Sequence, residues 1–582
     1  MTILASLVRA HDRLTSRGEV PAFGFSQQGI GWLIALDADG KPVGNPHDLA
    51  QIKDKKRLPQ PIAVPSPVKR ASGIAPNFLW DKTAYVLGVT AGRDHRTARE
   101  HADFVAKHRK WLEGAKDEGL VAFLHFLDWW RPEKFAELGW PEEMKDQNLV
   151  FALESERMAH VRLHDRPAVK VLWARLQSDG ARPEAVCLVT GERAPIARLH
   201  PAIKGVWGAQ SSGASIVSFN LDAFTSYGKE QGDNAPVSDV AAAAYTTALN
   251  HFLERGSRHR LQIGDASTVF WAEAPDPAAA AAAEDMFQQF TAVNEGMEAD
   301  KVGALLDNLR HGRPVGDLQP ALSPGVRFYV LGLAPNAARL SVRFFVEDDF
   351  GAVAKRYLKH IDRLRIDPPP REENPSIWRM LIETAVLRKS DNIQPNLAGD
   401  WFRAILTDTP YPMTLLSSLI MRLRADHDVN ALRVAILKSV LIKNFNVEAP
   451  VSLDPACRDK GYLWGRLFAV FEQVQVAALG TGVNATIKDK FYGAASAQPR
   501  KVFRIIECGS ANHLSKIGKQ NPGRRINLEK LIAEIMEEMT PSDDPFPASL
   551  PDKSQALFAL GYYHQRNAFF RKTDKTGPGE AA

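Results

Sequence analysis

Arg365-Ile366-Asp367-Pro368-Pro369-Pro370-Arg371 is the stretch that divides this sequence. Three consecutive prolines lack the N–H groups that a helix interior or a central strand needs, and each restricts the residue before it, so the chain here must be an extended connection. On its N-terminal side, apolar runs of strand length recur: Gly31-Trp-Leu-Ile-Ala-Leu-Asp37, Tyr85-Val-Leu-Gly-Val89, Asn148-Leu-Val-Phe-Ala-Leu153, Val186-Cys-Leu-Val-Thr190, Ser215-Ile-Val-Ser-Phe-Asn220, Thr268-Val-Phe-Trp271, Val326-Arg-Phe-Tyr-Val-Leu-Gly-Leu333 and Leu340-Ser-Val-Arg-Phe-Phe-Val346. Helical patterns separate several of them, one over Arg93 to Leu120 and one from the Asp276-Pro277 start to about Arg310. Beyond Pro370 the strand runs nearly vanish. Pro412 to Leu423, Val429 to Phe445, Gly461 to Leu479, Leu528 to Met539 and Gln555 to Phe570 carry apolar residues at three- and four-residue spacing. The expected class is therefore α+β, with a mixed α/β region over 1–370 followed by an all-helical bundle over 371–582.

The 582 residues are 45% hydrophobic and 24% charged, a composition that packs cores and argues against long disorder. At about 100 to 200 residues per domain the length predicts about three to five compact units. No run of eighteen uncharged apolar residues occurs, which excludes a membrane-spanning helix, and Arg9, His11, Asp12 and Arg13 break what a secretory signal would need. Cys187, Cys457 and Cys508 form no CxxC pair, which fits a reducing cytoplasm and no zinc site.

The formal net charge of +5 is unevenly placed. Lys53 to Lys110 holds thirteen Lys and Arg against five acids, Thr486 to Arg525 nine against two, and 451–582 eighteen against fourteen. Either window is a stripe for a polyanion, whose neutralised phosphates release counterions, or a solvated surface. Lys69, Arg70, Ser72 and Asn77 lie on the proline- and glycine-rich arm between Leu58 and Asn77.

Phosphate-loop, nucleophile-elbow, zincin and dinucleotide fingerprints are absent, so no catalytic residue, metal ligand or cofactor is assigned. Asp348 and Asp349 could hold magnesium for a metal-dependent nuclease, though a working site needs further carboxylates. His200 is either a general base without a paired nucleophile or a structural histidine. The densest polar constellation runs through Gly191, Leu199-His200-Pro-Ala-Ile-Lys204-Gly-Val, Ser218-Phe-Asn220 and Ser226-Tyr227-Gly-Lys229-Glu-Gln231-Gly-Asp-Asn234-Ala-Pro236. Its glycines and amides suit phosphate approach, base-edge reading and stacking, or they set turns and cap helices.

These motifs, in this order, closely resemble the large subunit of the type I-C CRISPR surveillance complex, Cascade. So do Leu331-Gly-Leu-Ala-Pro-Asn336-Ala-Ala-Arg339, Asn484-Ala-Thr-Ile-Lys488-Asp-Lys-Phe-Tyr-Gly-Ala-Ala-Ser496 and Leu560-Gly-Tyr-Tyr-His564-Gln-Arg566. The resemblance implies a nonenzymatic, cytoplasmic antiviral subunit. It would sit beside the guide RNA's 5′ handle, recognise the protospacer-adjacent motif in double-stranded target DNA, promote duplex opening and R-loop formation, and support recruitment of the helicase-nuclease. Backbone, handle-binding and small subunits are the implied protein partners, and no membrane is involved. On this view Lys69, Arg70, Ser72 and Asn77 meet the adjacent motif, and Asn220, Tyr227, Lys229 and Asn234 serve groove readout or handle binding. Residues 451–582 resemble a small-subunit module, in which Lys488, Lys490, Arg500, Lys501, Arg504, Arg524 and Arg525 guide a DNA strand. In this family a separate copy of that region typically arises from an internal start; no Met lies between Met421 and Met536, so such a product here would need Met421 or a non-AUG codon.

Overall fold

A computed structural model of the chain describes residues 2–53, 56–68, 73–92, 95–178, 184–219, 221–291, 325–372, 374–394, 396–480 and 482–570. They form two compact units, Met1–Ala202 with Val217–His251, and Ile203–Ile216 with Phe252–Ala582, fewer than the length alone predicts. The class is the expected α+β. Among the described residues no helix is long and apolar enough to cross a membrane.

The first unit is built on Trp32–Leu36, whose unbroken apolar run pairs in parallel with the equally apolar Asn148–Leu153, Trp32 opposite Leu149. His47–Asp48 and Asp81–Lys82 flank the pair to complete four strands. Both faces are covered, which is why neither strand alternates apolar with polar. On one face Trp32, Ile34, Leu149 and Phe151 pack with Phe123 and Phe126 of the Glu118–Trp129 helix; on the other Leu33, Ala35, Val150 and Ala152 meet Ile62, Val64 and Trp80. Phe25–Ile30 and Gln60–Pro65 form a separate antiparallel ribbon. The Tyr85–Val89 strand is not formed: Thr83–Val86 is a turn of helix, because a five-residue apolar run does not by itself distinguish the two periods. Arg93 to Leu120 likewise splits, into a Thr97–Trp111 helix and the helix that Asp117 caps at Gly119 and Leu120.

The second unit carries an antiparallel sheet in the order Arg260–Ile263, Ala266–Glu273, Arg327–Asn336, Arg339–Asp349. Phe270, Phe328, Phe344 and Val346 face a core shared with the Pro277–Thr291 and Phe350–Leu364 helices. Asp276 caps the first of these through the Ala278 N–H, as expected, and the residues beyond Thr291 where the pattern continued lie outside the described ones. Ser215–Asn220, expected as a strand, contributes a single bridge from Ser215 to Arg339. Asp367–Pro370 lies within this unit, with the Asp367–Pro368 peptide cis, and every described element after it is helical.

The helical end is organised by the Lys460–Leu479 and Asp552–Ala568 helices. Gly461 and Gly465 lie one turn apart on the first, and a Cβ on them would sit 2.2 Å from the Ser554 carbonyl oxygen and 2.0 Å from that of Phe558; a Cβ on Gly561 would sit 2.1 Å from the Tyr462 oxygen. The two backbones therefore touch, at a separation no side chain permits. Around the contact the Tyr462 hydroxyl bonds His564 Nδ1 at 3.0 Å, Arg466 Nε donates to Gln565 at 3.1 Å and the Tyr562 hydroxyl donates to Glu472 at 2.6 Å. The Gly-Tyr-Tyr-His-Gln-Arg signature is thus one half of a packing seam.

Two outcomes follow from these cores. Gly465→Val forces the helices apart and lowers stability by about 3 kcal/mol, read as a lower urea midpoint, while Gly482→Ala, which meets nothing within 4 Å, leaves it unchanged. Burial holds His108 and His360 down to about 3 and His164 and His564 to about 4, against an ordinary 6.5. The unfolded chain then binds protons that the folded one refuses, so stability is fully present above pH about 6.5 and is lost as pH falls from there toward about 4 and then 3; urea midpoints across that range should fall steadily.

Candidate nucleic-acid interface

Lys69, Arg70 and Ser72 lie outside the described residues, but the root of their arm is described. Trp80 Nε1 donates to the Pro65 carbonyl at 2.8 Å, and the Val68 N–H donates to Asn77 Oδ1 at 3.0 Å. The Asn77 N–H in turn donates to Asp81 Oδ2 at 2.9 Å. Leu79 takes a left-handed φ of 62°, with its N–H donated to His108 Nε2 at 2.9 Å, and His108 Nδ1 lies 2.8 Å from the Phe104 carbonyl. One ring nitrogen must accept and the other donate, so His108 is a neutral tautomer, consistent with its depressed pKa. Asn77, expected to face DNA, is 4% exposed and fastens the arm to the body.

The part of the polar constellation that lies in the first unit divides into scaffold and presented residues. Cys187 is buried and accepts the Ser238 N–H; burial raises its thiol, but that bond and those from Thr190 outweigh it and bring the group to about 7. The Leu188 N–H donates to Pro236 and the Ala197 N–H to Val237, tying the loops together. His200 Nδ1 lies 2.7 Å from the Tyr245 hydroxyl and burial lowers its pKa, so it is a structural histidine. Ser226-Tyr227-Gly228-Lys229 closes a two-residue turn in which the Lys229 N–H donates to the Ser226 carbonyl at 2.9 Å, and Tyr227 and Gly228 both have positive φ, at 52° and 71°. Asn234 holds this turn: Oδ1 accepts the Ser226 N–H at 3.1 Å, and Nδ2 donates to the carbonyls of Lys229 at 2.9 Å and Gln231 at 3.1 Å. Lys229 is exposed and Tyr227 fully so, while Asn220 lies outside the described residues.

The second basic window folds into helices that its sequence only partly announces. Thr486 and Asp489 form a capping box at the start of Ile487–Ala497, placing Lys488 half-buried and Lys490 in solvent. Pro499–Gln520 buries Val502, Phe503, Ile506, Ser510 and Ile517 along one face. Lys501, Arg504, Lys516 and Lys519 stand exposed along the other, with an exposed Ile505 between them, and none of the four cations forms an ion pair among the described residues. Arg524 is exposed beside them in sequence. Arg500 and Arg525 are committed locally, the first to Asp544 at 2.8 Å and the Phe546 carbonyl at 2.6 Å, the second to Glu529 at 2.9 Å. Lys516 and Lys519 were not singled out from the sequence. The three- and four-residue spacing of Val502, Phe503, Ile506 and Ser510 is the signal that puts them on one stripe with Lys501 and Arg504.

Asp348 and Asp349 serve the fold. Asp349 Oδ1 caps the Phe350–Leu364 helix through the Gly351 N–H at 3.0 Å and its Oδ2 accepts the Gly325 N–H, while Asp348 accepts Arg356 at 2.6 Å and the Asp349 N–H. Among the described residues no three His, Cys, Asp or Glu side chains are grouped as cation ligands.

No curated protein matches the chain. The model of the family described as CRISPR-associated protein (Cas_Csd1) matches residues 7–570, nearly the whole length, and takes in the arm root, the Tyr227 turn, the basic helix and the glycine seam. The chain belongs to the Cas_Csd1 family, that of the type I-C large subunit.

Proposed function

We propose that this chain is the non-catalytic large subunit of a type I-C Cascade, recognising the adjacent motif in double-stranded DNA, promoting duplex opening and R-loop formation, and supporting recruitment of the helicase-nuclease in the cytoplasm. Family membership supports the setting. The observation that carries the DNA-handling part is the Pro499–Gln520 helix, whose exposed face holds four cations without an ion pair among the described residues while its other face is spent on the core. The helix sets the spacing of these charges in advance, so that only side-chain freedom is lost on contact, and a strand's phosphates are the natural counter-charge. Lys488, Lys490, Arg500, Arg524 and Arg525 extend the same basic surface in sequence, with Arg500 and Arg525 acting once their exposed carboxylate partners yield.

In this reading residues 1–370 form the side that meets the adjacent motif and the guide handle, Lys69, Arg70 and Ser72 touch the motif from an arm that Asn77 and His108 anchor, and 371–582 is the helical side, with 451–582 acting like a small subunit. Contacts to the short motif nucleate strand parting, and guide RNA pairing then supplies sequence specificity. Backbone, handle-binding and small subunits complete the particle.

The test is target binding by the assembled complex over a salt series. Replacing Lys501, Arg504, Lys516 and Lys519 with Gln should flatten the plot of log affinity against log salt by about 3, at about 0.7 per lost single-strand phosphate contact. Replacing Lys69 and Arg70 with Ala should instead erase discrimination among adjacent-motif variants. An unchanged slope together with unchanged discrimination would overturn the reading. The chain alone with magnesium should leave DNA intact, and cleavage abolished by Asp348→Asn would favour a nuclease.

A further inference from the structure

We propose that Tyr227 is a stacking platform for a single unpaired nucleobase, and that Asn234 is the positioning residue that holds it out. This deepens the DNA- and RNA-handling reading above and rests on it. Of the ten tyrosines, nine are at most 7% exposed, whereas Tyr227 is 100% exposed. Its presentation is built. The turn is closed by the Ser226–Lys229 bridge, Asn234 clamps it from below by three hydrogen bonds, and the Gln231–Asn234 segment is pressed against the neighbouring chain so closely that a Cβ on Gly232 would lie 2.0 Å from the Ala197 carbonyl oxygen. The backbone that carries the ring is thus held in place before any contact, so little backbone freedom is lost on binding and only the ring's own rotamer must be fixed.

Charge selects what the ring meets. Lys229 is exposed, but so are Asp222, Glu230 and Asp233 in the same loops, and these carboxylates repel a phosphate chain. The face of a base carries no net charge and every base has one, so stacking tolerates this setting where backbone binding does not. Asn234 itself is excluded as a base reader. Recognising adenine needs one free amide N–H together with the amide oxygen, and both Nδ2 hydrogens are donated to the Lys229 and Gln231 carbonyls.

The base can come from the guide RNA or from a parted DNA strand, and one experiment separates them. The full complex is assembled with 2-aminopurine placed singly along the guide's 5′ segment, then along each target strand beside the adjacent motif. One position should be quenched in the wild type, recover in Tyr227→Ala and stay quenched in Tyr227→Phe, with Tyr227→Ala binding target about tenfold more weakly. The strand bearing that position identifies the source. Asn234→Ala, and Asn234→Asp where the first folds poorly, should reproduce the recovery with equal loss for all four bases at the quenched position.

The proposal fails if no position distinguishes Tyr227→Ala from wild type while target binding keeps its dependence on the basic helix, an outcome that leaves the broader reading standing. It also fails if Tyr227→Ala prevents subunits from assembling, which would make the ring a protein contact, or if Asn234 variants change preference for one base alone. Loss of the salt effect in the basic-helix variant would instead sink the broader reading.

Discussion

The backbone contact between Lys460–Leu479 and Asp552–Ala568 is the constraint on which the helical end depends. Gly461, Gly465 and Gly561 bring carbonyl oxygens to where any side chain would stand, and the polar bonds of Tyr462, Arg466, Glu472, Tyr562, His564 and Gln565 form only at that separation. Burying so many polar side chains is tolerable because they pair across the seam, Tyr462 with His564, Arg466 with Gln565 and Tyr562 with Glu472. The neighbouring helices inherit their position from this pair: Phe503 of the basic helix packs on Trp464 and Phe468, and Tyr492 lies among Phe468, Phe558 and Tyr562.

Charge is handled in two opposite ways along the chain. Around two carboxylates, cations are bound to specific acceptors. Glu383 accepts Arg379, Arg388 and Arg433, and Asp408, held well below the usual carboxylate range by Lys443, Lys359 and Arg363 against the opposing effect of burial, joins three helices at one point. On the exposed face of the Pro499–Gln520 helix, Lys501, Arg504, Lys516 and Lys519 form no ion pair among the described residues. The sequence shows the same residue types in both places, so a count of lysines and arginines marks a region and cannot say which of them are spent.

That difference explains what could be read in advance. Asn148–Leu153 and Trp32–Leu36 were legible because a strand buried on both faces needs no pattern beyond continuity, and the helical end because its stripes repeat over several turns. Asp349 carried a readable signal as a cap ahead of a periodic helix, although its pairing with Asp348 drew attention to metal chemistry. Asn77 was illegible as an anchor, and for Asn234 the residues left turn-setting and base reading both open. Their partners at Val68, Ser226 and Lys229 are backbone groups, and a backbone group leaves no mark in a sequence. The turn beside Asn234, by contrast, follows from Gly228 in a polar loop, whereas the exposure of Tyr227 does not.

The glycine seam also sets a timetable for synthesis. The Lys460–Leu479 helix is buried along most of its length, yet the segment that covers it leaves the ribosome about 90 residues later, several seconds at about 5 to 20 residues per second. For that interval an apolar helix waits in the nascent chain without its mate. This end of the protein therefore locks only after its last helix has been made.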